Sequence, residues 1–188
     1  MHQPGGITED EIISQCKKGN LKWQEMLYRH FYGYAMGISL RYSLNRDDAL
    51  EVVNDGFIKV FNTINRYDSD KPFKAWLRTI MVNTAIDRRR RDLKFQLNTG
   101  LDNSIVIAGE ATAVDKLNAD DIIKMMQHLP PIQLTIFNLY EIDGYSHDEI
   151  SKLLSIPASS SRVYLTRAKE RLRSIIKAEA QRHGRSAG

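Results

Sequence analysis

Residues 146–176, SHDEISKLLSIPASSSRVYLTRAKERLRSII, decide the fold of the C-terminal part of this chain. Ser146-His147-Asp148-Glu149 is a capping box, in which the Ser146 hydroxyl accepts from the Glu149 backbone N–H and the Glu149 carboxylate reaches back. The helix it opens carries Ile150, Leu153 and Leu154 on one face. Ser155-Ile156-Pro157 ends that helix, because Pro157 has no backbone N–H and pushes Ile156 away from helical angles. In the next helix Leu165, Ala168, Leu172 and Ile176 are spaced for one buried stripe. Arg162, Arg167, Lys169, Arg171 and Arg173 occupy its other faces. Two short helices joined by a tight turn, the second one basic, predict a helix-turn-helix within residues 129–173, the arrangement that fits a DNA major groove.

Outward from this segment, nearly everything reads as helix. Thr8-Glu9-Asp10-Glu11 is a second capping box, opening a short helix through Cys16 that Gly19 can end. From 21 to about 42, Trp23, Leu27, Phe31, Tyr34, Ala35 and Ile38 recur at helical spacing. Asn45 can cap the next helix, with Asp47 and Asp48 near its positive end and Ala49, Val53, Phe57, Val60 and Ile64 as the buried stripe. A turn at 68–72 precedes a helix from Phe73 to about Leu93 that is expected to bury Trp76, Leu77, Ile80 and either Met81 or Ala85. Residues 96–118 lose the helical stripe and read as a flexible linker, rich in Asn, Thr, Gly, Ala and Asp, with 104–108 the one strand-like stretch. Helices resume from Ala119 to His128 and from Ile132 to about Ile142, broken by Leu129-Pro130-Pro131. The expected architecture is all-α: a small helical domain over 1–95, a linker over 96–118, and a second small helical domain with the helix-turn-helix over 119–188.

The chain has 188 residues, 42% hydrophobic and 27% charged, a globular and not a disordered composition. Its single cysteine, Cys16, excludes an internal disulfide and a cysteine-rich zinc site. The N-terminus lacks the layout of a signal peptide and no apolar run is long enough to span a bilayer, so a cytoplasmic protein without membrane insertion is expected. The net charge of +4 is unevenly spread. Residues 62–97 carry nine basic and four acidic groups, residues 98–161 three and nine, and residues 162–188 eight and two. Two basic blocks flanking an acidic stretch predict two separate contacts with a polyanion. The five histidines show no metal-ligand spacing, and no glycine-rich phosphate loop, nucleophile elbow or paired-carboxylate frame is present. No catalytic site, metal or cofactor is expected.

Three groups of residues together resemble the extracytoplasmic-function sigma factors, the two-domain minimal members of the sigma-70 class of bacterial transcription initiation factors. Asp48-Ala49, Glu51, Val53-Asn54-Asp55, Phe57 and Lys59-Val60-Phe61 are similar to the segment that docks on the clamp helices of core RNA polymerase. Phe73, Trp76-Leu77, Ile80, Asn83, Ile86-Asp87 and Arg89-Arg90 are similar to the helix that melts and reads the minus-ten promoter element. Leu129-Pro130, Phe137, Leu139, Gly144-Tyr145-Ser146, Glu149-Ile150 and Ile156-Pro157 are similar to the domain that reads the minus-thirty-five element. The chain departs from the family at Asn54, where glutamine is usual, and at Ser155, where glycine is usual. It departs most over Ala158-Ser159-Ser160-Ser161-Arg162-Val163-Tyr164: Ser161 stands where an apolar residue normally packs and Tyr164 where an arginine normally reaches DNA.

The resemblance implies core RNA polymerase and promoter DNA as partners, with an inhibitory anti-sigma protein as a further one. It implies promoter recognition and melting without a cofactor. For the minus-thirty-five element the candidates are Ser159, Ser160, Arg162, Tyr164, Thr166, Arg167 and Arg171. Arginine can bond a guanine edge with both arms, while serines at a helix N-terminus suit a phosphate. For the minus-ten element they are Lys71 and Lys74 around the loop that captures a flipped base, Trp76, Asn83, Asp87, Arg88, Arg90 and Arg91. Asn83 and Asp87 share a helix face. Four adjacent arginines point in several directions, so only one or two of them meet phosphates. Trp76 either stacks on a base or packs with Ile80 in the core. The plainer reading of Asp87 is a surface pair with Arg91. Asp48, Glu51, Asn54, Asp55 and Phe57 are the candidates for polymerase docking, with Phe57 also placed to fill the core. A rival reading is a dimeric regulator that binds palindromic DNA through the same helix-turn-helix; the separate basic block at 83–91 argues against it. A nucleic-acid-processing enzyme would need an acidic metal cluster that the sequence lacks.

Overall fold

A computed structural model describes residues 7–99 and 119–186, and every element among them is helical. Most of the expected linker, including the strand-like stretch 104–108, lies outside the described residues. Packing divides the chain into two units, Met1–Ser39 with Asp47–Thr84, and Leu40–Arg46 with Ala85–Gly188.

The first unit opens with α1 (Glu9–Lys17), whose Glu11 N–H donates to the Thr8 hydroxyl at 3.2 Å. Gly19 ends it at φ +76°, a left-handed angle that glycine takes without a Cβ clash. Then come α2 (Leu21–Tyr42), α3 (Arg46–Thr63), a 3₁₀ turn (Ile64–Arg66) and α4 (Phe73–Thr99), of which the end of α2 from Leu40, the start of α3 at Arg46 and α4 from Ala85 belong to the second unit. The expected α3 stripe is buried at Ala49, Val53, Phe57 and Val60, and burial continues into Ile64. In α2, Leu27, Phe31, Ala35 and Ile38 are buried as spaced, but Tyr34 is exposed and Trp23 half-buried. Tyr34 sits at the edge of the packed face, where its hydroxyl donates to the Lys74 carbonyl at 3.3 Å. Gly56 marks a close approach of α3 to α4: a Cβ there would stand 2.5 Å from the sulfur of fully buried Met81.

Helix α4 departs from expectation in two ways. Its buried row is Phe73, Leu77, Met81 and Ala85, whereas Trp76 and Ile80 are only half-buried. Trp76 and Ile80 lie a step round the helix from that row, at its margin. The helix also runs to Thr99, past the expected end near Leu93, because no glycine or proline intervenes before Gly100.

The second unit also contains α5 (Ala119–Gln127), α6 (Pro131–Phe137), a π turn continuous with it (Asn138–Ile142), α7 (His147–Leu154) and α8 (Ala158–Ser186). The helix expected over 132–142 therefore widens in its last turns. Pro131 stands at its first position, where a missing N–H costs nothing. The Ser146 capping box forms as read: the Ser146 N–H donates to Glu149 Oε2 at 2.8 Å and the Glu149 N–H to Ser146 Oγ at 3.3 Å. Both α6 and α7 pack on α8. Met126, Leu129, Leu134, Ala168 and Leu172 form the core, with Leu165 also buried on α8. Ile176, expected on the same stripe, is 50% exposed. Ser155 closes α7 at φ 55°, ψ 44°, the left-handed angle that its family departure implies, and a non-glycine residue holds that angle at a steric cost.

Candidate functional site

Helix α8 has one inner row and two outer rows. Ser161, Leu165, Ala168 and Leu172 are buried. Ser159, Arg162, Thr166 and Arg173 are exposed, and their spacing sets them along one flank. Half-buried Ser160, Tyr164 and Arg171, with exposed Arg167, line the other flank. The candidate residues are thus not one cluster but two ridges, with Arg162 on one and Arg167 on the other. Thr166 Oγ1 donates to the Arg162 carbonyl at 3.1 Å, so its methyl and not its proton is offered outward. Lys169 is held by Glu141 at 2.6 Å.

Ser161 shows how the family departure is accommodated. It is fully buried, and its hydroxyl lies 2.9 Å from Nδ1 of His147 at the start of α7. The His147 ring stacks on Tyr140, with centroids 4.5 Å apart and planes 23° apart. Burial, and then the positive charge of Arg162, lower the pKa of His147 and favour the neutral ring. Local sequence gives His147 no more than a place inside the capping box. The signal for its partner is Ser161 itself, since a hydroxyl on a buried row needs a hydrogen bond.

On α4, Asn83 is exposed and Asp87 half-buried, and Trp76, Ile80, Asn83, Asp87 and Arg90 follow one another along a single face. Asp87 pairs with Arg90 at 3.0 Å, not with Arg91 as the plainer reading has it. Arg91 is exposed and Arg88 half-buried. Arg89 turns inward, and its guanidinium donates to the Tyr42 carbonyl at 3.2 Å. The loop before α4 is internally braced. The Tyr67 hydroxyl donates to the Lys71 carbonyl, the Asp70 N–H donates to Asp68 Oδ1 at 3.1 Å, and Lys71 Nζ lies 3.6 Å from Asp68. Lys74 rides over the Tyr34 ring at 5.9 Å. Trp76 leans on Tyr67 and Phe73, with centroids 5.2 and 5.6 Å away, and keeps part of its surface open.

On α3, Glu51, Asn54 and Asp55 are exposed and share a face, with half-buried Asp48 beside them. Phe57 is not on that face; it is buried, 4.7 Å from the Tyr28 ring. The apolar group standing among the acids is Ile58, 59% exposed, which sequence reasoning misses because it sits off the expected stripe. Tyr28 donates its hydroxyl to Asn54 Oδ1 at 3.1 Å, which turns the amide NH₂ outward. Among the described residues no group of His, Cys, Asp and Glu could hold a metal ion, and no helix is long and apolar enough to cross a membrane. The buried Cys16 thiol is pushed up to about 11 by desolvation, away from thiolate chemistry.

Comparison with known proteins places this chain in a family. Sigma-70 region 2 matches residues 27–94 and Sigma-70 region 4 matches residues 119–172. An ECF RNA polymerase sigma-E factor of Haemophilus influenzae is 23% identical over 182 residues, covering 90% of this chain and 96% of the relative. An RNA polymerase sigma-H factor of Pseudomonas aeruginosa is 23% identical over 175 residues, covering 86% of this chain and 90% of its own. Among solved structures, the sigma factor RpoE in complex with the anti-sigma factor NepR from Bartonella quintana matches with a TM-score of 0.49 and 21% identity, over 81% of this chain and 96% of that one. Two sigma-70 regions matched in order along one chain lead to one conclusion: the chain belongs to the sigma-70 class of RNA polymerase sigma factors, in its extracytoplasmic-function group.

Proposed function

We propose a division of labour for promoter-directed initiation by this sigma factor. Helix α3 holds the clamp helices of core RNA polymerase through Asp48, Glu51, Asn54 and Asp55, with Ile58 as the apolar contact at the centre of that acidic rim. Helix α4 and the loop before it take the minus-ten element: Asn83 and Asp87 meet bases, Arg88, Arg90 and Arg91 the backbone, and the open part of Trp76 stacks on an unpaired base. Helix α8 lies in the major groove at the minus-thirty-five element, with Arg162, Thr166 and Arg167 towards base edges and Ser159, Ser160, Tyr164 and Arg171 towards phosphates.

The observation that carries this reading is the α7–α8 pair: a capped α7, a tight turn, and an α8 that buries Ser161, Leu165, Ala168 and Leu172 while leaving Arg162, Thr166 and Arg167 exposed. The protein works in the cytoplasm and is not an enzyme; strand opening draws on binding energy without nucleotide hydrolysis. An anti-sigma protein fits the same picture. Exposed Leu50 and Ile58 on α3 are covered in the holoenzyme and need another cover when polymerase is absent.

Reconstitution with core polymerase, followed by selection of promoters from a random pool and run-off transcription, tests the proposal. The expected result is a bipartite consensus and polymerase-dependent transcripts. Asp48→Ala is expected to weaken holoenzyme assembly and leave duplex binding by α8 in place. Tight dimeric binding to a bare palindrome, with no polymerase-dependent transcript, would instead establish the rival regulator.

A further inference from the structure

Helix α1 lies outside both matched regions, which begin at residue 27, yet it touches the loop that precedes α4. Lys17, in its last turn, donates from Nζ to the Tyr67 carbonyl at 3.2 Å, and the same ammonium stands 5.5 Å from the centroid of the Tyr67 ring. Helix α1 also packs on the 3₁₀ turn that leads into this loop. Tyr67 is the pivot of the loop. Its N–H donates to the Ile64 carbonyl at 3.1 Å, its hydroxyl closes on the Lys71 carbonyl, and its buried ring packs edge-on to Phe73 at 5.2 Å and beside Trp76 at 5.2 Å. One cation therefore grips both the backbone and the ring of the residue that sets the position of Lys71 and of the Trp76 face.

We propose that Lys17 is a positioning residue for capture of an unstacked base from the non-template strand, holding the 67–72 loop in its receptive shape from an element outside the matched regions. The proposal rests on the minus-ten reading given above. A short loop that must receive a base without first being ordered gains from a brace on its fixed end, because ordering its backbone on binding would cost entropy. Lysine suits this role because its ammonium can donate to a carbonyl and attract a ring face at once.

The test uses reconstituted holoenzyme and fluorescent single-stranded non-template oligonucleotides of a selected minus-ten element, with each base replaced in turn. Wild type is expected to discriminate sharply at one position, and Trp76→Ala or Tyr67→Ala to abolish that discrimination. Lys17→Met is expected to reduce it about fivefold to tenfold while core-polymerase affinity and minus-thirty-five duplex binding stay unmoved, and Lys17→Arg to restore most of it. Thermal melting of each variant separates loss of fold from loss of positioning, and Lys17→Gln supplies a donor without charge should the methionine variant melt early. If Lys17→Met keeps full discrimination at a position that Trp76→Ala loses, the brace is overturned and the minus-ten reading stands. If neither Trp76→Ala nor Tyr67→Ala changes discrimination anywhere, the minus-ten reading falls and the brace falls with it.

Discussion

The two basic helices, α4 and α8, carry comparable numbers of cations and use them differently. On α8 a continuous buried row leaves arginines standing out on two flanks, so position round the helix decides which way each one points. On α4 four consecutive arginines are divided by the helical turn: Arg89 goes inward to the Tyr42 carbonyl, Arg90 pairs with Asp87, and Arg88 and Arg91 remain at the surface. A run of like charge in sequence is therefore not a count of phosphate contacts. What matters is the angle each residue makes with the buried row, and adjacent residues differ by about 100°.

The largest expected effect breaks the arginine run apart. Arg89→Ala is expected to cost about 2–3 kcal/mol of stability by leaving a buried carbonyl without its donor and by losing packing. Arg91→Ala is expected to leave stability unchanged and to lower the salt slope of promoter binding by about one counterion. Chemical denaturation and salt titration of both variants check this, and a weaker salt slope for Arg89→Ala at wild-type stability would reverse the assignment.

Next in size are the flanks of α8. Arg162→Ala and Arg167→Ala are each expected to lose about 1–3 kcal/mol of discrimination, at different base positions of the minus-thirty-five element. Profiles measured with base-substituted duplexes would coincide if the two-ridge arrangement were wrong. Ser155→Gly is smaller and of opposite sign: relieving the left-handed angle is expected to stabilise the second unit by about 1 kcal/mol, read as a raised Tm with DNA affinity unchanged.

The smallest effect concerns His147. Its folded pKa lies below the ordinary value near 6.5, owing to burial and then to Arg162. The folded state therefore binds fewer protons than the unfolded chain, so the contribution is whole above about pH 6.5 and is lost as pH falls through the folded value. A stability–pH profile for His147→Gln is expected to be flatter than wild type over that window. Superimposable profiles would remove His147 as the source.

Much of the fold was legible because helical signals are local. The Ser146 capping box, the Thr8 half of the other one, Gly19, Pro157 and the α3 stripe each depend on residues within a turn or two of one another, and each lies where the spacing put it, although no return bond from the Glu11 side chain accompanies Thr8. What failed were residues at the margins of stripes. Trp76, Ile80, Tyr34 and Ile176 are apolar enough to be drawn into a periodic pattern, but burial depends on which helix lies opposite, which periodicity does not contain. What the sequence did not contain at the candidate site were the pairings: Asp87 with Arg90, Tyr28 with Asn54, His147 with Ser161, and Phe57 in the core with Ile58 outside.

By itself the amino-acid order determined that this is a chain of amphipathic helices with a capped, proline-broken helix-turn-helix and two basic blocks, since capping, breaking and charge are properties of neighbouring residues. Only the tertiary structure decided which member of each basic block faces outward, which acid holds which arginine, and that Lys17 of the first helix reaches a loop fifty residues away. Those outcomes depend on the angle at which one helix packs on another, and that angle is set by side-chain volumes such as the missing Cβ of Gly56 against Met81, contacts between residues far apart in the chain.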